Sequence, residues 1–290
     1  MSKVAILTDT NSGLAPADEE ALGIHVMPMP MYIDDTQYYE YVDMDKPSFF
    51  ELLETADHVT TSMPAAGDVM DRFDELLESY DEVVYIPMSS GLSSSCSTAF
   101  MIADDYDGKV QVVDNQRISV TMRLSVMEAK ALADQGKSAV EIKAYLEEHK
   151  MESSIYITVA TLKYLKKGGR LTPAVAALGT ILRIKPVLQI QGEKLDSFAK
   201  ARTMKQAKDI MLDAIESDLG HRFGSVSGEG CVISISHTEN QKEAEEFKKE
   251  AEARFPGHTI QIDPLPLSIS CHIGPGALAI TASKSFLDKF

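Results

Sequence analysis

The sequence predicts an α/β fold of two lobes, and three observations carry that expectation. Apolar, β-branched runs of strand length recur along the chain, segments with apolar residues at three- and four-residue spacing separate them, and 290 residues exceed the usual size of one compact domain. The first run is 4–7 (VAIL), and a helical period follows at 66–79 before the second run at 83–86. A third run lies at 110–113, then helical periods at 119–134 and 139–149, a fourth run at 155–159, a fifth at 232–235 and a helical period at 241–254. Continuous apolar runs mean strands buried on both faces, as in a parallel sheet covered by helices. The charged helix ending near Lys150 gives way at once to a new strand, which places the boundary there: lobes 1–150 and 151–290.

Composition narrows the function. Lys and Arg number 28 against 44 Asp and Glu, a net charge of −16, which argues against a general nucleic-acid binder or a protein held on anionic lipid. Any basic function is therefore local. Cys96, Cys231 and Cys271 form no C-x-x-C pair and fit neither a disulfide framework nor a zinc site, so a reducing, cytoplasmic compartment is the simpler expectation. No secretory signal is visible at the N-terminus, and the uncharged run 264–283 is interrupted by Pro264, Pro266, Gly274, Pro275 and Gly276, unlike a spanning helix. The acidic stretches Asp18-Glu19-Glu20 and 243–252 read as solvated helix faces.

Familiar catalytic signatures fail. Gly136-Lys137-Ser138 ends like a phosphate loop, but Ala131 occupies the earlier glycine position and the triplet joins two helices, reading as a C-cap glycine and the next N-cap. Gly274-Pro275-Gly276 has 14 residues after it, too few to complete a dinucleotide-binding unit. Gly91-Leu92-Ser93-Ser94-Ser95 has a serine where a nucleophile elbow needs its second glycine. No metal-binding or cofactor motif is present.

Polar clusters survive at strand ends, where α/β folds place ligands. They are Thr8-Asp9-Thr10-Asn11-Ser12, Thr60-Thr61-Ser62-Met63-Pro64 and Pro87-Met88-Ser89-Ser90-Gly91-Leu92-Ser93-Ser94-Ser95. Hydroxyls and backbone N–H groups at a helix start suit a carboxylate or phosphate. The alternative is that they serve only as N-caps and turn formers, with Thr61 or Ser62 capping a helix that has Pro64 in its first turn. A fourth feature is Leu165-Lys166-Lys167-Gly168-Gly169-Arg170-Leu171-Thr172, followed by Arg183-Ile184-Lys185-Pro186. Arg170 is an anion-clamp candidate, whereas Lys166 and Lys167 also read as helix C-terminal caps. His272 stands before the glycine-proline turn, as a core histidine or a ligand neighbour.

Together with Asp9-Thr10-Asn11-Ser12, Lys167-Gly168-Gly169-Arg170, Arg202-Thr203 and His272-Ile273-Gly274-Pro275-Gly276, these motifs closely resemble, in order and along nearly the whole chain, the DegV family of bacterial fatty-acid-binding proteins. The resemblance implies a two-lobed α/β fold, with a mostly parallel sheet covered on both faces in the N-terminal lobe and one long-chain fatty acid held between the lobes. It also implies a non-enzymatic carrier that presents the carboxyl group to a separate ATP-dependent fatty acid kinase, for acyl phosphate formation and phospholipid synthesis. By that likeness Thr61, Ser62, Ser93, Ser94 and His272 meet the carboxylate, while Arg170 and Arg202 neutralise the head group and dock the kinase. Met63, where the family often has Gln, and Ser95-Cys96, where it often has Thr-Tyr, depart from the pattern without removing a proposed ligand. Two other readings compete: a serine-dependent acyl hydrolase using Ser93 and His272, and a sensor of a small carboxylate or phosphate.

Overall fold

The computed structural model of the chain describes residues 2–170, 172–178, 184–192 and 194–287, so Leu171 and Arg183 of the motifs above lie outside the described residues. Contacts divide the chain into two units, Met1–Lys150 and Met151–Phe290.

The first unit is built on a parallel sheet of β1 (Val4–Asp9), β2 (His25–Met27), β6 (Glu82–Ile86) and β7 (Val110–Val112), in the order β2-β1-β6-β7. Its strands alternate between two cores. Ala5, Leu7, Val83 and Tyr85 face the helices Ala66–Leu77 and Ser95–Ala103 through Phe73, Leu76, Cys96 and Ala99. Val4, Ile6, Val84 and Ile86 face Ser119–Asp134 and Ala139–Glu148 through Val126, Ala129 and Ile142. That double burial is why the strands read as unbroken apolar runs. A second, antiparallel sheet holds β3 (Pro30–Ile33) between β4 (Thr36–Tyr39) and β5 (Val59–Thr61), with Met31 opposite Thr61. Gly136, at φ 83, closes one helix, and Ser138 opens the next with a capping box to Glu141, so the phosphate-loop look-alike is a helix junction.

The second unit carries a six-stranded sheet of β8 (Ser153–Thr158), β9 (Lys185–Ile190), β10 (Leu195–Ala201), β11 (Cys231–His237), β12 (Gln261–Pro264) and β13 (Leu278–Lys284), in the order β10-β9-β8-β13-β11-β12. Only β11 and β12 pair in parallel. Its core lies against Met204–His221 and Gln241–Arg254, where Met211, Ile215, Ala244 and Phe247 meet Tyr156, Ile235 and Ile280.

The acidic stretches face solvent as expected, with Glu20, Glu245, Glu246 and Glu250 exposed. Some of them also make contacts: Glu19 accepts from Val26 N–H and pairs with Arg72, while Glu243 and Glu250 both pair with Lys208, whose side chain is buried. One expectation is corrected. Thr61 and Ser62 do not cap a helix, because Thr61 ends β5 and the following helix begins at Ala66, after Pro64. Among the described residues no helix is long and apolar enough to cross a membrane.

Candidate functional site

In the first unit, the strand-end clusters divide into a structural turn and a presented loop. Thr10, Asn11 and Ser12 form a buried 3-10 turn whose groups bond inward: Ser12 Oγ donates to the Asp9 carbonyl at 2.8 Å, and Thr10 Oγ1 accepts from Met29 N–H at 3.1 Å. Asp9, fully buried, accepts from Asn11 N–H at 2.8 Å, Asn11 Nδ2 at 2.7 Å and Met88 N–H at 3.1 Å. It thereby fixes the start of the serine loop to the end of β1. Burial pushes its carboxyl up to about 6 against the lowering effect of those donors.

The serine loop is held from its other side by the segment after β7. Ser90 donates its hydroxyl to Asp114 Oδ2 at 2.7 Å and its N–H to Oδ1 at 3.3 Å, and Ser89 N–H donates to the Arg117 carbonyl at 2.9 Å. Ser93 Oγ accepts from Ser95 N–H at 3.1 Å and shares a 2.9 Å bond with the Ser95 hydroxyl. Both of these Ser93 contacts are to Ser95, two residues on in the same loop. The second cluster joins this one through Met63: its sulfur accepts from Ser94 Oγ at 3.4 Å and Thr98 Oγ1 at 3.3 Å. Thr61 is placed by β5, and Ser62 N–H donates to the Pro30 carbonyl at 3.2 Å. Thr61, Ser62, Ser93 and Ser94 thus lie on two joined segments, partly or fully exposed.

The second unit assembles another group. Gly168 follows the helix Lys163–Lys167 and packs on His272, which belongs to the helix Leu267–Ile273. A Cβ on Gly168 would stand 2.9 Å from His272 Cε1 and closer still to Nδ1, so only glycine fits. Gly274 shows the same device: at φ 72 its Cα faces the Tyr164 ring, where a Cβ would come within 2.9 Å of Cγ and closer to the ring edge. Arg170 donates from Nη1 to the Gly168 carbonyl at 2.6 Å. Burial first, and the Arg170 charge second, push His272 down to about 4, so its imidazole is neutral at pH 7.

Sequence reasoning missed Thr238, which ends up fastening the glycine-proline turn. Its hydroxyl donates to the Gly274 carbonyl at 2.6 Å and accepts from Ala277 N–H at 3.0 Å, and its carbonyl accepts from Gly276 N–H at 2.7 Å. The available signal is a hydroxyl three positions past the apolar run at 232–235, at the end of the strand. Arg202 is set apart from these contacts: it is exposed at the end of β10, where its N–H donates to Gln206 Oε1 at 2.8 Å. Among the described residues no cluster of three or more His, Cys, Asp or Glu is placed to hold a metal ion.

The family described as "Uncharacterised protein, DegV family" matches residues 3–285. Protein DegV of Bacillus subtilis is 29% identical over 282 residues, covering 96% of this chain and 98% of that protein. A DegV domain-containing protein of Staphylococcus aureus strain N315 is 28% identical over 285 residues, covering 98% of this chain and all of that one. Among solved structures, a fatty-acid-binding DegV family protein of Thermus thermophilus superposes with a TM-score of 0.87 at 28% identity, covering 98% of this chain and 100% of that one. The fatty-acid-binding DegV of Bacillus subtilis gives 0.86 at 27% identity with the same coverage.

Proposed function

Because the chain belongs to the DegV family, we propose that it binds one long-chain fatty acid and presents the carboxyl group to a separate ATP-dependent kinase, which converts it to an acyl phosphate. The observation that carries the ligand is the full-length likeness, at 27 and 28% identity, to two structures of fatty-acid-binding proteins. The hydroxyls of Thr61, Ser62, Ser93 and Ser94 are the carboxylate's donors, with the neutral imidazole of His272 as a hydrogen-bonding partner rather than a second charge. Arg170 and Arg202 supply positive charge to the head group and to the kinase. A carrier role is supported by the sequence, which carries no nucleotide-binding loop for phosphoryl chemistry of its own.

The tail supplies affinity and the head sets orientation. About 16 methylenes at roughly 0.8 kcal/mol each give about 13 kcal/mol of gross burial, against several kcal/mol or more of association and ordering costs. Hydrogen bonds to a charged head add about 1.5–3 kcal/mol each. The test is solvent extraction and mass spectrometry of protein purified from cells. A stoichiometric long-chain fatty acid is the expected result; delipidated protein with no measurable binding of any fatty acid refutes the proposal.

A further inference from the structure

Beside the serine loop lies a buried amide that the proposed donor set leaves unused. Asn115 follows β7 and is 0% exposed. Its Oδ1 accepts from Arg117 N–H at 3.2 Å, which fixes the amide orientation, since a flipped amide would set donor against donor. The Nδ2 group therefore brings two N–H donors into the interior, and among the described residues it has no hydrogen-bond partner. Buried donors are almost always satisfied, so an unused one calls for a partner.

Its surroundings indicate which partner. The residue before it, Asp114, holds Ser90, and the carbonyl of Arg117 holds Ser89, so Asn115 sits where this segment grips the serine loop. The segment also keeps two non-glycine residues in the left-handed region, Gln116 at φ 57 and Ser119 at φ 58. Such conformations persist only where surrounding contacts hold them, and they concentrate at ligand sites.

We infer that Asn115 is a further head-group ligand, donating from its buried Nδ2 to the carboxylate held at the serine loop; this rests on the fatty-acid reading given above. An amide donor there adds selectivity for a carboxylate over a neutral head, which the apolar tail cannot provide.

The experiment measures, on the delipidated full-length chain, dissociation constants for palmitate and for hexadecanol, which has the same tail and no carboxylate. In Asn115→Ala, palmitate binding weakens about ten-fold or more, the loss expected for one hydrogen bond to a charged group, while hexadecanol changes less than about three-fold. Asn115→Asp, which replaces the donor by a carboxylate oxygen, weakens palmitate further than Asn115→Ala does and again largely spares the alcohol. The acid-to-alcohol ratio is taken on one protein preparation, so a loss of folded fraction does not move it. Equal weakening of both ligands, or unchanged palmitate binding, overturns the assignment while the fatty-acid reading stands. A wild-type chain that binds neither ligand overturns both.

Discussion

Gly168→Ala tests the contact on which the second-unit group depends. Gly168 adopts an ordinary right-handed conformation, φ −75 and ψ −7, so alanine suits the backbone and the effect is steric. The new Cβ would stand 2.9 Å from His272 Cε1, whereas carbon atoms pack best at about 3.5–4.0 Å, so the imidazole must retreat by at least about 0.6 Å. His272 is largely buried, and overpacking of this kind costs about 1–3 kcal/mol. At roughly 2–4 °C per kcal/mol, the midpoint falls by several degrees. If His272 bonds the ligand, displacement of the ring also weakens palmitate binding about ten-fold, the value of one such bond. Calorimetry of unfolding and of palmitate binding reads both effects. Gly67→Ala is the control: it lies in the helix Ala66–Leu77 with nothing within 4 Å of its Cβ position, so it stabilises by up to about 1 kcal/mol. In a His272→Ala background the Gly168→Ala penalty disappears, because the clashing ring is gone. A Gly168→Ala protein as stable as Gly67→Ala, with wild-type palmitate affinity, refutes the packing of Gly168 on His272.

Acid should act on two buried groups in opposite senses. His272 is held at about 4, below its ordinary 6.5, so its contribution to stability is present above pH 6.5 and lost as pH falls toward 4, about 3 kcal/mol in all. Asp9 is held at about 6, above its ordinary 3.8, so its contribution is present below pH 3.8 and lost as pH rises through 6. Between pH 7 and 4.5, denaturant melts should therefore show His272→Gln gaining stability relative to wild type and Asp9→Asn losing it; parallel pH profiles for all three proteins contradict both shifts. Arg170→Ala and Arg202→Ala should reduce kinase-dependent acyl phosphate formation by a larger factor than palmitate affinity, because the tail dominates binding. Equal loss in both assays argues against assigning the charge to the phosphorylation step.

What the sequence made legible follows from how locally each feature is encoded. β1, β6 and β7 are apolar because helices cover both faces of their sheet, so burial itself wrote the pattern. β2 (HVM) and β5 (VTT) are followed by Pro28 and Ser62, whereas Val113 extends the equally short β7 into a readable apolar run. β13 lies between β8 and β11, yet Leu278–Lys284 reads LAITASK: its small Ala, Thr and Ser residues fill a crowded sheet centre without forming an apolar run. The hydroxyl clusters were visible because a loop after a strand is a local signal. Their supports were not, since Asp9 meets Met88 and Asp114 meets Ser90 only once the parallel sheet has formed. The chemistry of His272 is the strongest case. Its neutrality arises from burial and from Arg170, which is 102 positions away, against a glycine that alone leaves room for the ring. The Arg170 guanidinium is therefore also a cause of the imidazole remaining uncharged, so the pair carries one positive charge and one neutral hydrogen-bonding group. Under the proposed function, that pairing orients the carboxylate without neutralising it twice.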